Sequence, residues 1–208
     1  IELKSAISPS AHENVEYIRS VLEGSIDIII KEFRLGNGQP AASFYIDGFT
    51  DNDMIGRDFF SPLLQADREE FYSAVEIADQ VLKAGNVSLQ DDMEVLIESV
   101  LQGLTALFIE GSTTAVMMEA ISWPQRSVDE PSTDVVIRGP REGFIESMRN
   151  NVTLLRRKIH HPDFHVETVR LGRYTRTDIA LVYVSSIVNK DVLVKLRKRL
   201  QSIDIDAV

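Results

Sequence analysis

Hydrophobic and polar positions along this chain alternate between a helical and an extended period. Val15, Ile18 and Leu22 recur at helical spacing behind Ser8 and Pro9, which read as N-cap and first helical residue, and Gly24 closes the pattern. Residues 26–30 are β-branched enough for a buried strand. Gly36-Asn37-Gly38-Gln39-Pro40 turns the chain and residues 42–46 return it, so the glycines belong to a hairpin and lack the strand-to-helix setting of a dinucleotide loop. Thr50 with Asp53 marks a helix start carrying Ile55, Phe59 and Leu63 on one face, and residues 67–83 are expected to be helical. Ser88 with Asp91 reads as a further cap before Met93, Leu96, Ile97, Val100 and Leu101. Residues 104–109 and 114–118 then pair as a hairpin around Gly111-Ser112.

The second part repeats the theme. Residues 122–133 contain two prolines and many polar side chains, which predicts a boundary. Val136 and Ile137 lead into a Gly139-Pro140 corner, and the corner into a helix. Ile145, Met148, Val152, Leu155 and Ile159 give that helix the cleanest amphipathic stripe in the chain, ending on the cations Arg156, Arg157 and Lys158. Residues 165–171 and 178–184 read as strands joined at Gly172, and Asn189 caps a last helix carrying Leu193, Leu196 and Leu200. The expected fold class is α/β. Two small subdomains, an acidic one at 1–128 and a basic one at 129–208, each hold a mixed sheet flanked by helices, with a cleft between them in the manner of solute-binding proteins.

Composition sharpens this picture. With 44% hydrophobic and 26% charged residues the chain is an ordinary globular sequence, and no window approaches the ~18 apolar residues of a membrane span. It opens on Ile1 rather than Met and shows no signal-peptide pattern, as expected of a piece excised from a longer protein. It has no cysteine, hence neither disulfides nor thiolate metal sites. The net charge of −10 conceals a division: residues 138–200 carry 14 Lys and Arg against 6 Asp and Glu, a local +8. An acidic chain is a poor ligand for nucleic acid. The basic part either complements the acidic part or faces anionic lipid headgroups.

The run Arg138-Gly139-Pro140-Arg141-Glu142-Gly143-Phe144 resembles the signature of the GerA-type A subunits, the germinant receptors of bacterial endospores. Three later pieces match in order: Asn151-Val152-Thr153-Leu154-Leu155-Arg156-Arg157, then Gly172-Arg173-Tyr174-Thr175-Arg176-Thr177-Asp178, then Ile203-Asp204-Ile205-Asp206. The resemblance is dense from about Pro124 onward and looser before it. It implies the N-terminal hydrophilic domain of a subunit whose membrane helices follow after residue 208. Implied partners are the B and C subunits, further A subunits and a small nutrient ligand. The implied place is the spore inner membrane, with this domain on the core side.

Candidate chemistry is sparse. Arg138, Arg141 and Arg173 form an anion-binding cluster if their guanidinium forks converge. Alternatively Arg138 and Arg141 pair with Glu142, Glu146 or Asp178 and lock the junction, the preferred expectation because this much charge near a Gly-Pro corner is what a rigid joint needs. Gly139, Pro140, Gly143, Thr175 and Asp178 complete the candidate ligand-binding or interface set. His160, His161 and His165 lack metal-ligand spacing, so a solvated loop is expected there. Phe59, Phe60, Phe71 and Tyr72 are expected in the core. No nucleophile elbow, phosphate-cradling loop or reactive cysteine occurs, and neither an enzymatic activity nor a cofactor is expected.

Overall fold

The computed structural model describes residues 4–82, 86–120, 143–203 and 205. The chain divides into two compact units. In the first, α1 (Ala11–Val21) leads into a hairpin of β1 (Ile28–Arg34) and β2 (Pro40–Ile46). Next comes a helix made of α2 (Asn52–Met54), a π-helical turn (Ile55–Phe60) and α3 (Ser61–Leu64). A shorter one joins α4 (Ala74–Glu76) to a second π-helical turn (Ile77–Val81). β3 (Val87–Gln90), α5 (Met93–Leu101), β4 (Leu104–Ile109) and β5 (Ala115–Glu119) complete the unit.

The five strands lie in the order β1-β2-β4-β5-β3, and every pairing is antiparallel. Strand alternation sends Ala42, Phe44, Ile46, Ala106, Phe108 and Met117 into one apolar cluster with α1 and α5. It sends Ala41, Tyr45, Leu107, Ile109, Val116 and Met118 into another beneath the π-containing helices. The sheet is thus covered on both faces.

The second unit is α6 (Met148–Arg156), β6 (Phe164–Leu171), β7 (Thr177–Val184) and α7 (Lys190–Gln201), with Gly24–Ile26 beside them. β6 and β7 pair antiparallel from Phe164↔Val184 to Leu171↔Thr177. Phe164, Val166, Ala180, Val182 and Val184 meet Met148, Val152, Leu155 and Ile159 of the α6 segment.

Several boundaries move for visible reasons. The first helix starts two residues late, because Ser10 caps it by accepting from the Glu13 N–H while Ser8 donates its hydroxyl to the Glu13 carboxylate at 2.6 Å. Asp51, not Thr50, caps α2, accepting from Asp53 and Met54. Ser88 lies inside β3, and Asp92 caps α5. Of the described residues 67–82 only 74–81 are helical. α6 does not start at the Gly-Pro corner: Ser147 caps it, and Asn151 holds Ile145 outside by bonding both the N–H and the C=O of that residue, at 2.8 and 2.6 Å. Arg156 stands in the last turn of α6 as expected, but it is fully buried. Phe71, expected in the core, is exposed, while Phe59 is buried.

Candidate functional site

Of the sequence-predicted site residues, Arg138, Gly139, Pro140, Arg141 and Glu142 lie outside the described residues. Gly143 stands on the coil leading into α6. Arg173, Thr175 and Asp178 come together on one hairpin. Its loop leaves β6 through Gly172, at φ +83°, and enters β7 behind Arg176, at φ +46°. These left-handed angles close a five-residue loop between two strands in full register. Arg173 and Thr175 sit at the exposed tip, and Tyr174 projects with 90% of its surface accessible. Asp178 has a local partner. Arg170 lies directly opposite it across the ladder, with Nε 2.7 Å from Oδ1, and this pair holds the Asp178 carboxyl below its ordinary value.

The stronger constellation lies on the other face of the same hairpin, and sequence spacing did not announce it. Glu167, Tyr183 and His165 point to the side that α7 covers. Arg197 of α7 grips Glu167 with both arms of its fork, Nε to Oε2 at 3.0 Å and Nη2 to Oε1 at 2.5 Å. The Tyr183 hydroxyl donates to the same carboxylate and also accepts from Arg197 Nη2 at 3.2 Å. His165 stacks on Tyr183 with ring centroids 5.5 Å apart. Burial alone would push the Glu167 carboxyl up, but the hydrogen bonds from Arg197 and Tyr183 outweigh it and leave the group below its ordinary value. Burial and the hydrogen bond to Glu167 push the Tyr183 hydroxyl up. A spacing of 30 residues separates Glu167 from Arg197, so only the fold reveals the pair.

On the α6 side, Arg156 plays a comparable part. Its guanidinium stacks over Phe164 at 4.4 Å and donates to the Phe164 carbonyl at 2.9 Å and the Ser25 hydroxyl at 3.1 Å. Ser25 also accepts from the Val166 N–H, and Ile26 donates to the Val166 carbonyl. The hairpin is therefore locked from both faces by arginines. Chemically these are positioning contacts, and Glu167 is held as an acceptor.

The first unit holds a depression of about 300 Å³, lined by Ala11, His12, Glu32, Arg34, Pro40, Ala42 and Glu110 among others. His12 Nδ1 is 3.1 Å from the Glu32 carboxylate, a hydrogen bond that raises the His12 pKa. Glu110 accepts from the Ala11 N–H at the start of α1 at 2.9 Å. Charges of both signs around small apolar residues suit a small polar solute. Among the described residues no group of three or more His, Cys, Asp or Glu is placed to hold a metal ion, and no helix is long and apolar enough to cross a membrane.

Comparison with known proteins adds a lineage to this geometry. A family model described as Bacillus/Clostridium GerA spore germination protein matches residues 16–208. The chain is 35% identical over 205 residues to spore germination protein KA of Bacillus subtilis (strain 168), covering 97% of this chain and 38% of that protein. It is 31% identical over 202 residues to the uncharacterized membrane protein YfkQ of the same organism, covering 97% and 39%. The chain thus spans about two fifths of the length of these curated relatives. The crystal structure of the N-terminal domain of the A subunit of the Bacillus megaterium spore germinant receptor GerK3 matches with a TM-score of 0.77 and 30% identity, over 100% of this chain and 76% of that one.

Proposed function

The chain belongs to the GerA family of spore germination proteins, and from that premise we propose that it is the extramembrane part of a germinant-receptor A subunit, coupling nutrient detection to the membrane complex that triggers germination. The observation that carries this reading is the match of the whole chain to an A-subunit N-terminal domain. The character of the site agrees with it. The arginines grip the β6–β7 hairpin from two sides, an arrangement suited to passing on a displacement. The proposed partners are the B and C subunits and further A subunits. The proposed place is the spore inner membrane, with this part on the core side. Arg138, Gly139, Pro140, Arg141, Glu142 and Gly143 are proposed as its junction, with Arg173, Thr175 and Asp178 presented on the hairpin.

The test is a charge reversal, Arg138→Glu or Arg141→Glu, in the complete receptor. Germination is blocked while nutrient binding by the complex is unchanged. Normal germination with the reversed charge would remove the junction from the mechanism. A second reading is direct nutrient binding by this chain, favoured by the depression around His12, Glu32, Arg34 and Glu110.

A further inference from the structure

Helix α7 leaves much of its apolar surface uncovered. Leu193 is buried against the unit and Arg197 reaches Glu167, but Val192 is 58% accessible, Val194 47% and Leu196 38%. Beyond the helix, Ile203 and Ile205 are exposed as well. Also exposed on the helix are the cations Lys190, Lys195, Lys198 and Arg199 against a single anion, Asp191. Val192 and Leu196 lie one turn apart, and Lys195 and Arg199, also one turn apart, lie beside them.

Aliphatic side chains interleaved with long cations characterise a helix lying in a membrane interface. The aliphatics enter the boundary between headgroups and acyl chains, and the Lys and Arg stems extend outward to reach phosphates. Charge complementarity fixes the partner further. The basic stretch 138–200 sits in a chain of net charge −10, so an anionic surface repels most of the molecule and admits contact only through the basic part. We propose that α7 with Ile203 and Ile205 docks on an anionic lipid surface, an inference that rests on reading the chain as part of a membrane receptor subunit and specifies which face meets the lipid.

The experiment is co-sedimentation of the purified chain with vesicles of phosphatidylcholine alone or of equal parts phosphatidylcholine and phosphatidylglycerol. Binding is expected only to the anionic vesicles. It is lost in salt concentrated enough to bring the screening length to about 3 Å. The double variant Lys195→Glu, Lys198→Glu, made at exposed positions and checked for unchanged circular dichroism, binds about tenfold or more weakly. A Val192→Ser variant, checked in the same way, weakens binding at constant charge. Absence of binding to anionic vesicles, equal binding to neutral ones, or an unaffected double variant would each overturn the proposal. Variant-sensitive binding to double-stranded DNA in place of vesicles would reassign the cations to a nucleic acid and overturn it too. No other receptor subunit is present in this assay, so its failure leaves the germination reading intact. That reading fails separately, if spores lacking the gene germinate normally.

Discussion

The Glu167–Arg197 pair should contribute measurably to stability, and its size can be worked out from its surroundings. The Glu167 side chain is 22% accessible and that of Arg197 37%, between a surface pair and a buried one. Exposed pairs contribute roughly 0.2–1 kcal/mol, and hydrogen bonds to charged groups about 1.5–3 kcal/mol. The half-buried, two-armed geometry with a third donor in Tyr183 places the pair between these two ranges, so a coupling of about 1–2 kcal/mol is expected. The measurement is a double-mutant cycle of Glu167→Gln and Arg197→Gln, read from urea midpoints at unchanged slope. The pH dependence has a definite sign. Glu167 is depressed in the folded state below its ordinary value of 4.5, so its contribution is complete above that value and fades as the pH falls through the folded one. A coupling below about 0.3 kcal/mol, or one unchanged on acidification, would refute the account of α7 as clamped through this carboxylate.

Two further substitutions probe the first unit. Gln39 is fully buried and ties three backbone groups, donating to the Tyr72 and Glu110 carbonyls at 2.9 Å each and accepting from the Tyr72 N–H at 2.8 Å. Gln39→Leu strands all three, and urea unfolding should show a loss of about 3–5 kcal/mol, at about 1–3 for each orphaned group with incomplete additivity; a loss under about 1 would contradict that assignment. A methyl group at Gly36 would stand 2.7 Å from the Leu64 carbonyl oxygen and 2.8 Å from that of Ala66. Gly36→Ala must therefore displace backbone, and thermal unfolding should register a destabilisation of about 1–3 kcal/mol.

Much of the second unit was legible because its signals are local. The stripe Met148, Val152, Leu155 and Ile159 does face the hairpin, Gly172 does turn it, and Asn189 does cap α7 by accepting from Asp191 and Val192. The contacts that lock this unit were not legible, because their partners are distant in sequence. Arg156 was legible as a helix-end cation, but not its burial, for which it meets Ser25, 131 residues away, and the Phe164 ring. Ser88 and Asp91 imitate a helix cap, but pairing with β5 claims Ser88 for a strand. The helical spacing of Ile55, Phe59 and Leu63 did place all three in the core. It did not show the π-helical turn between them, beside which Phe60 meets Phe33 edge-on at 5.3 Å with Lys31 over its ring. The junction motif at 138–144 carried the family before any geometry did, and the family match bears that recognition out.

The most direct test of the proposed coupling role is thermal unfolding of this chain with amino acids, sugars and nucleosides as candidate nutrients. A ligand that binds only the folded state stabilises it by about 2.7 kcal/mol at 100 times its dissociation constant. For a chain of this size that moves the midpoint by roughly 5–10 °C. No saturable shift with any of them is expected, in keeping with the proposal that detection lies outside this chain. A saturable, stereospecific shift would contradict it and make this domain the sensor.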